Sequence, residues 1–170
     1  TQFSAASQSL NVAAGGILAN NLYYEDTLGN NIKINVASFD NYVKIIKNNS
    51  GQAVIPEFLF NGIGYWNPTQ GYQIKAFQPM KLIFEGQELA DKSWVLQEGW
   101  NMINWPYASP NNIEDAIPAE YIQYILIIKN NVAQVFWPEF GFNGIGDLIP
   151  GQGYQIKVTQ DITIPLLGSS

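Results

Sequence analysis

The sequence predicts an all-β protein made of two pseudo-symmetric repeated β modules, packed as a sandwich or a barrel-like unit, with one short helix. The main observation is an internal duplication. Residues 42–86 and 124–168 align without a gap at a constant offset of 82 residues, and about half of the positions are identical. A repeat of this kind determines the fold, because each copy is one structural unit that packs on its neighbour. Short apolar runs between clusters of Asn, Gly and Pro then predict strands joined by turns.

The duplication divides the chain into three segments. These are an N-terminal arm at residues 1–21, a first repeat module at residues 22–88 and a second repeat module at residues 89–170. One small sheet of fewer than roughly 80 to 90 residues buries little apolar surface. We therefore expect the modules to pack face to face or to close into one barrel-like unit, and the sequence leaves open whether they share one core.

The N-terminal arm is rich in Ala, Ser, Gly and Asn, which predicts an extended segment. Its apolar side chains could dock it on a sheet, and they are Phe3, Leu10, Val12, Ile17 and Leu18. Two interpretations remain open. The arm is either the first strand of the fold, or a strand that it adds to the sheet edge of a neighbouring subunit.

The two copies predict the same four strands. A hairpin at residues 22–36 precedes the first copy. The strands of the first copy are predicted at residues 43–46, 53–55, 72–77 and 82–84, and those of the second at residues 125–128, 135–137, 154–158 and 162–164. Pro56 ends the second strand, and Asn61-Gly62-Ile63-Gly64 forms a loop whose glycines favour positive φ.

Only the second copy has a recognisable preface. Residues 94–96 and 100–105 predict two strands, and residues 113–117 predict a helix of one or two turns. Asn112 is the expected N-cap, and Glu114 and Asp115 follow in the first turn, where the helix dipole favours acidic side chains. The first copy does not match this preface at the same offset.

Composition excludes several classes of function. The net charge is −6, and the eight basic residues are spread along the chain without a basic patch, so nucleic acids and anionic membranes are disfavoured as partners. The absence of His and Cys excludes His-based triads, thiol nucleophiles, disulfides and zinc sites with those ligands. No apolar run approaches the roughly 20 residues of a membrane span. Abundant Asn and Gln are typical of extracellular and particle-surface proteins.

Residues 99–168 carry a further pattern. It begins with Gly99-Trp100-Asn101, continues through Leu148 and ends with Pro150-Gly151-Gln152-Gly153-Tyr154. This resembles a small β-rich "GWN … PGxGY" module of secreted, cell-surface and phage-encoded surface proteins of bacteria. The resemblance implies a non-catalytic accessory or structural unit, and it provides no catalytic residue to transfer. Residues 42–86 resemble the module less closely.

Two tryptophans are the candidate platforms for stacking on a sugar ring, with two amides beside them. The candidate binding residues are Trp66, Trp137, Asn61 and Asn143. The two Trp residues align with Leu148 and Ile55 of the other copy, which equally favours a core or interface position. Four other aromatic residues, Trp100, Trp105, Tyr72 and Tyr154, are expected in the core.

Acidic residues offer two further hypotheses. Glu57 and Glu139, one in each copy, could form a general acid and base pair, or each could accept backbone N–H bonds in the Asn-Gly-Ile-Gly loop. Asp147 with Glu139 and Asn143 could provide oxygen ligands for Ca²⁺, although no EF-hand pattern is present. We predict no catalytic residue, no cofactor and no metal site.

The predicted function is a non-catalytic structural or assembly module of a bacterial cell surface, an extracellular filament or a virion. Its partners would be copies of itself or neighbouring surface subunits, with no nucleic acid and no membrane insertion. The alternative is a carbohydrate-binding adhesion module, and the third hypothesis is a glycoside hydrolase that uses Glu57 and Glu139.

Overall fold

The computed structural model describes most of the chain after residue 41 and short segments before it. The described residues are 5–12, 17–19, 34, 39, 42–67, 70–77, 80–87 and 89–169. In this part of the chain the protein is all-β, with several antiparallel sheets and one single-turn α-helix. The hairpin predicted at residues 22–36 lies outside the described residues, apart from Ile34.

In the first half, the described residues form a five-stranded sheet and a separate strand pair. Its strands are β1 (Ala5–Val12), β2 (Ile17–Ala19), β3 (Val43–Lys47), β4 (Ala53–Ile55), β5 (Phe60–Asn61), β6 (Gly71–Ala76) and β7 (Met80–Gln87). The sheet has the order β2-β6-β3-β4-β5, and β1 pairs with β7. In β6, Tyr72 and Ile74 are buried while Gln73 is exposed, which is the alternation of a strand with one face on a core.

The second half forms another five-stranded sheet and two strand pairs. Its strands are β8 (Ser93–Leu96), β9 (Gly99–Asn104), β10 (Asn111–Asn112), β11 (Ile125–Lys129), β12 (Val135–Trp137), β13 (Phe142–Asn143), β14 (Asp147–Leu148), β15 (Gly153–Val158) and β16 (Ile162–Pro165). The large sheet has the order β13-β12-β11-β15-β9, and the pairs are β10-β14 and β16-β8. The helix α1 (Ile113–Ala116) follows β10.

The two large sheets have the same strand order. In the first, Ile46 of β3 pairs with Ile74 of β6. In the second, Ile128 of β11 pairs with Ile156 of β15, and both members of this pair lie 82 residues further along the chain. The aligned sequences therefore form the same four strands in the same register.

The fifth strand of each sheet comes from segments that do not align at this offset. Leu18 of β2 pairs with Tyr72, and Ile103 of β9 pairs with Tyr154. The edge strands thus correspond at an offset of 85 residues, not 82. The reason is that the segment between β2 and β6 is three residues longer than the segment between β9 and β15. A gap-free comparison misses this correspondence.

Buried side chains form two clusters, one in each half. The first cluster surrounds Ile46, Trp66 and Tyr72. The second is larger and surrounds Trp94 and Trp105. Among the described residues, each half therefore has a core of its own.

The halves meet where β2 and β6 lie against β9 and β15. The backbones approach closely at Gly71, where a Cβ atom would lie 2.5 Å from the carbonyl oxygen of Ile103. Asn49 of the first half also bridges the edge of β9. Its Oδ1 accepts from the Met102 N–H at 3.2 Å, and its Nδ2 donates to the Trp100 carbonyl at 3.5 Å. The Asn49 side chain therefore hydrogen-bonds an N–H and a carbonyl group that an edge strand otherwise leaves unpaired.

The start of the short helix confirms the expected cap. The Oδ1 atom of Asn112 accepts from the Glu114 N–H at 3.0 Å, and Glu114 and Asp115 lie in the first turn. A side chain that accepts such a bond satisfies one of the N–H groups that a helix start leaves without an intrahelical partner.

The residues of the "GWN … PGxGY" pattern build turns. Asn101 closes the turn between β8 and β9, since its side chain accepts from the Gln97 N–H and donates to the Gln97 carbonyl. Gly99 and Gly151 have φ values of 93° and 85°, which a residue with a Cβ adopts rarely. The pattern therefore describes local requirements of the fold.

Candidate functional site

Two exposed apolar corners, one in each half, form the strongest candidate for a functional surface. The first corner consists of Phe58, Leu59 and Phe60, and the second corner consists of Trp137, Phe140 and Phe142. All six side chains are between 40% and 75% exposed. Large apolar side chains that cluster on a surface indicate an interaction site more strongly than single ones do. The signal in the sequence is the recurrence of Pro-Glu-Phe-x-Phe, of which only the glutamates Glu57 and Glu139 were predicted as candidates.

The same local backbone builds both corners. A single 3₁₀ turn at Pro56–Phe58 and another at Pro138–Phe140 end the preceding strand. The next residue is left-handed in each half, with φ of 50° at Leu59 and 60° at Gly141. Its N–H donates to the proline carbonyl, at 2.9 Å in the first half and 3.0 Å in the second. The chain reverses at these points.

Leu59 is a costly residue at this position. A left-handed backbone costs a residue with a Cβ roughly 1–2 kcal/mol, and a buried contact that could offset this cost is missing because Leu59 is 75% exposed. Leu59→Gly removes this strain, but glycine loses more chain entropy on folding, which offsets part of the gain. We therefore expect the free energy of unfolding to stay unchanged or to rise by up to about 1 kcal/mol. Urea unfolding measures the change.

Gly141 provides the matched reverse substitution. A Cβ at Gly141 would meet no atom within 4 Å, so only the backbone conformation opposes a larger residue. We expect Gly141→Leu to lower the free energy of unfolding by about 1 kcal/mol and Gly141→Asn to lower it less, because Asn tolerates this conformation better. A Gly141→Leu variant with the same free energy of unfolding as the unmodified chain would contradict the left-handed backbone.

The structure separates the two candidate tryptophans. Trp66 is 5% exposed and contacts Phe39 and Tyr72 edge to face, at ring-centroid distances of 6.4 Å and 5.0 Å. A sugar cannot stack on a buried ring, so Trp66 is a core residue in this structure and we do not retain it as a binding residue. Trp137 is 40% exposed and contacts Phe140 edge to face at 4.8 Å. Of the two, Trp137 is the one with an exposed ring.

Asn61 and Asn143, the other two candidate binding residues, organise the Asn-Gly-Ile-Gly loops. Asn61 Oδ1 accepts from the Gly64 N–H at 2.7 Å, and its Nδ2 donates to the Ile34 carbonyl at 3.2 Å. Asn143 Oδ1 accepts from the Gly146 N–H at 2.8 Å in the same way. These side chains hold the loops, and their role in binding a ligand stays a prediction.

The acidic candidates lie on the surface. Glu57, Glu139 and Asp147 are all exposed. We expected Glu57 and Glu139 to accept the loop N–H groups, but the acceptors are the side chains of Asn61 and Asn143. This expectation was wrong because an asparagine within each loop already accepts the glycine N–H bond. The glutamate on the 3₁₀ turn is therefore not needed as an acceptor. Among the described residues, no group of three or more Asp, Glu, His or Cys side chains could hold a metal ion.

Two equivalent tyrosines are buried with their hydroxyl groups hydrogen-bonded. Tyr72 accepts from the Asn67 N–H at 2.8 Å, and Tyr154 accepts from the Ile149 N–H at 2.9 Å. Burial raises the pKa of each phenol from its ordinary value of 10.0 to about 12, although the backbone bond acts in the opposite direction. For Tyr154 the negative charge of Asp147 raises the pKa further. The two phenols therefore support the fold in their neutral form.

The residues of the predicted arm lie partly in strands of this chain. Leu10 and Val12 belong to β1, which pairs with β7, and Ile17 and Leu18 belong to β2, which pairs with β6. Phe3 lies outside the described residues. Contacts of the arm with a neighbouring subunit stay a prediction.

In comparisons with known proteins, the chain matches no family model, no curated protein and no solved structure. The resemblance to the "GWN … PGxGY" module thus stays a prediction. In the described part of the chain, no helix has the length and apolar character needed to cross a membrane.

Proposed function

We propose that the protein is a non-catalytic assembly module, and that its two halves are copies of one β unit packed as a sandwich. The shared strand order of the two large sheets supports the duplication. The separate core clusters and the contact of β2 and β6 with β9 and β15 support the packing.

The observation that carries the assembly function is the pair of equivalent apolar corners. The proposed occupant of each corner is a corner of a second copy of the chain. Because every copy has two corners, it can contact two neighbours, and contacts of this kind propagate into rings or filaments. The proposed setting is a bacterial cell surface, an extracellular filament or a virion, in keeping with the amide-rich composition.

The size of the corners predicts weak individual contacts. With roughly 200 Å² for a fully exposed aromatic side chain, each corner exposes on the order of 300–400 Å². Two corners would bury roughly 700 Å² in total, which is less than the roughly 1,200–2,000 Å² of a stable interface. The proposed assembly therefore depends on high local concentration and on several contacts acting together.

The test is sedimentation velocity over a hundredfold range of protein concentration, with Phe58→Ser and Phe140→Ser combined in one variant. These residues occupy equivalent positions and are 72% and 65% exposed. We expect concentration-dependent oligomers of the unmodified chain and at least a tenfold shift of association to higher concentration in the variant, because the apolar contact is lost.

The matched control is Phe77→Ser, which removes a phenylalanine that is 61% exposed outside both corners. It should associate like the unmodified chain, and circular dichroism should show all variants folded. A monomer at every concentration would overturn the assembly proposal. Deletion of residues 1–21 is a poorer test, since it removes β1 and β2 from sheets of the same chain.

A further inference from the structure

A groove of about 530 Å³ between the two halves gathers lysine and amide side chains. The side chains that matter for its chemistry are Lys47, Lys75, Lys129, Gln73, Asn130 and Gln155. None of the described residues that line the groove is Asp or Glu. The sequence shows basic residues spread along the chain, and the structure brings three of these lysines to the lining of one groove.

Each half contributes an equivalent pair of residues to this groove. Lys47 pairs with Gln73 across β3 and β6. Lys129 pairs with Gln155 across β11 and β15. The duplication therefore places a lysine opposite a glutamine on both sides of one groove, and Lys75 adds a third positive charge.

The charge of the groove is opposite to that of the whole chain. The protein has a net charge of −6, yet three lysines of the described part of the chain line this one groove. Ammonium groups that converge repel one another, and a bound anion would relieve the repulsion. The groove is thus a local site for negative charge on an acidic protein.

An aromatic ring contacts one of the lysines that line the groove. The Lys129 ammonium lies 4.7 Å from the centroid of the Trp100 ring, and the Lys157 ammonium lies 5.8 Å from it. Trp100 is 43% exposed, so the expectation that it lies in the core was wrong. Its position on the edge strand β9 places the ring outside the buried cluster of the second half.

We propose that this groove binds an anionic oligosaccharide, with its sulfate or carboxylate groups on the lysines and its hydroxyl groups on the amides. The volume is that of a small-molecule site and is much larger than one inorganic anion needs. Asn and Gln side chains donate and accept hydrogen bonds, as sugar hydroxyl groups require. A nucleic acid fits less well, since its affinity depends on neutralising many phosphates and the described lining of the groove offers three lysines. The inference goes beyond the proposed assembly function.

The test is calorimetric titration of the full chain with a chondroitin sulfate tetrasaccharide. We expect saturable binding that weakens as salt is raised, because salt screens exposed charges. Lys47→Gln and Lys129→Gln should each lower the affinity about three- to tenfold, which is the range for one charge-assisted contact near the surface. Gln155→Ala should lower the affinity for the tetrasaccharide, because it removes a partner of the sugar hydroxyl groups. It should leave the affinity for inorganic sulfate unchanged, because sulfate binds to the lysines.

Lys44→Gln is the matched control, because Lys44 is exposed on β3 and does not line the groove. It removes the same charge and should bind like the unmodified chain. Equal effects of Lys44→Gln and Lys47→Gln would overturn the site. Equally tight binding of inorganic sulfate, or of a tetranucleotide, would overturn the oligosaccharide as its ligand.

Binding and assembly can fail independently. The variant with Phe58→Ser and Phe140→Ser keeps every described lining residue of the groove, so it should bind the tetrasaccharide as the unmodified chain does. If this variant stays monomeric and binds, both proposals stand. If it associates normally while the unmodified chain binds nothing, the groove proposal is overturned and so is the assembly role of the corners.

Discussion

Raising the pH from 10 to 12 is expected to destabilise the fold by roughly 4 kcal/mol, because two buried tyrosines must stay neutral in the folded state. Burial raises the pKa of Tyr72 and Tyr154 to about 12, whereas the same phenols titrate near 10.0 when the chain is unfolded. One pKa unit corresponds to about 1.4 kcal/mol, so each shift amounts to about 3 kcal/mol over the whole titration, of which about 2 kcal/mol falls between pH 10 and pH 12.

The sign follows from the number of bound protons. Below pH 10 both states hold the two phenol protons, and the stabilisation is fully present. Between pH 10 and pH 12 the unfolded chain has released these protons while the folded protein still binds them, so stability falls as the pH rises. Urea unfolding at a series of pH values measures the slope, which is expected to approach that of two protons.

Substitutions identify the groups responsible. The variant with Tyr72→Phe and Tyr154→Phe should lose most of the alkaline slope. It should also be less stable at neutral pH, by about 1–3 kcal/mol per site, because the Asn67 and Ile149 N–H groups lose these acceptors. Tyr65→Phe is the matched control at an exposed position and should keep the slope. An unchanged slope in the double variant would show that other groups cause the alkaline unfolding.

A single methyl group at position 71 is expected to lower the free energy of unfolding by about 3 kcal/mol. In Gly71→Ala the new Cβ would lie 2.5 Å from the Ile103 carbonyl oxygen, closer than real Cβ atoms approach. The obstacle is backbone of the facing half, so β6 or β9 must move rather than a flexible side chain. The gain from a less flexible unfolded chain, at most about 1 kcal/mol, does not offset this cost.

Urea unfolding followed by tryptophan fluorescence measures this prediction. Gly168→Ala is a useful comparison, because its Cβ would meet the ring of Tyr107 at 2.6 Å within the second half. A side chain can move aside more cheaply than a strand, so this variant should be less affected. If Gly71→Ala were as stable as the unmodified chain, β6 and β9 could not pack as closely as the structure shows.

Local sequence patterns predicted the strands well. The strand predicted at residues 72–77 is observed as β6 (Gly71–Ala76), and the one predicted at residues 135–137 is observed as β12. Asn112 caps the short helix α1 as expected. These features depend on alternation over a few residues and on the chemistry of turns and caps, which neighbouring residues decide.

The candidate site was predicted less well, because exposure depends on distant parts of the chain. Trp66 and Trp137 had similar apolar counterparts in the alignment, yet one is in the core and the other is exposed. The phenylalanines of the corners are separated by Leu59 or Gly141 and not by a polar residue. The sequence therefore lacks the alternation of apolar and polar residues that predicts which side chains face solvent. A residue at the turn after a strand can point either way until the rest of the sheet is in place.

The sequence by itself determined the all-β class, the order of the repeated strands and the chemistries that a chain without His and Cys excludes. Only the tertiary structure showed that β2 and β9 are equivalent edge strands, because three additional residues hide their match in the alignment. It also decided that lysines far apart in the sequence share one groove. The physical reason is that strand identity is encoded in local periodicity, whereas the neighbours of a surface side chain are set by how the two halves pack.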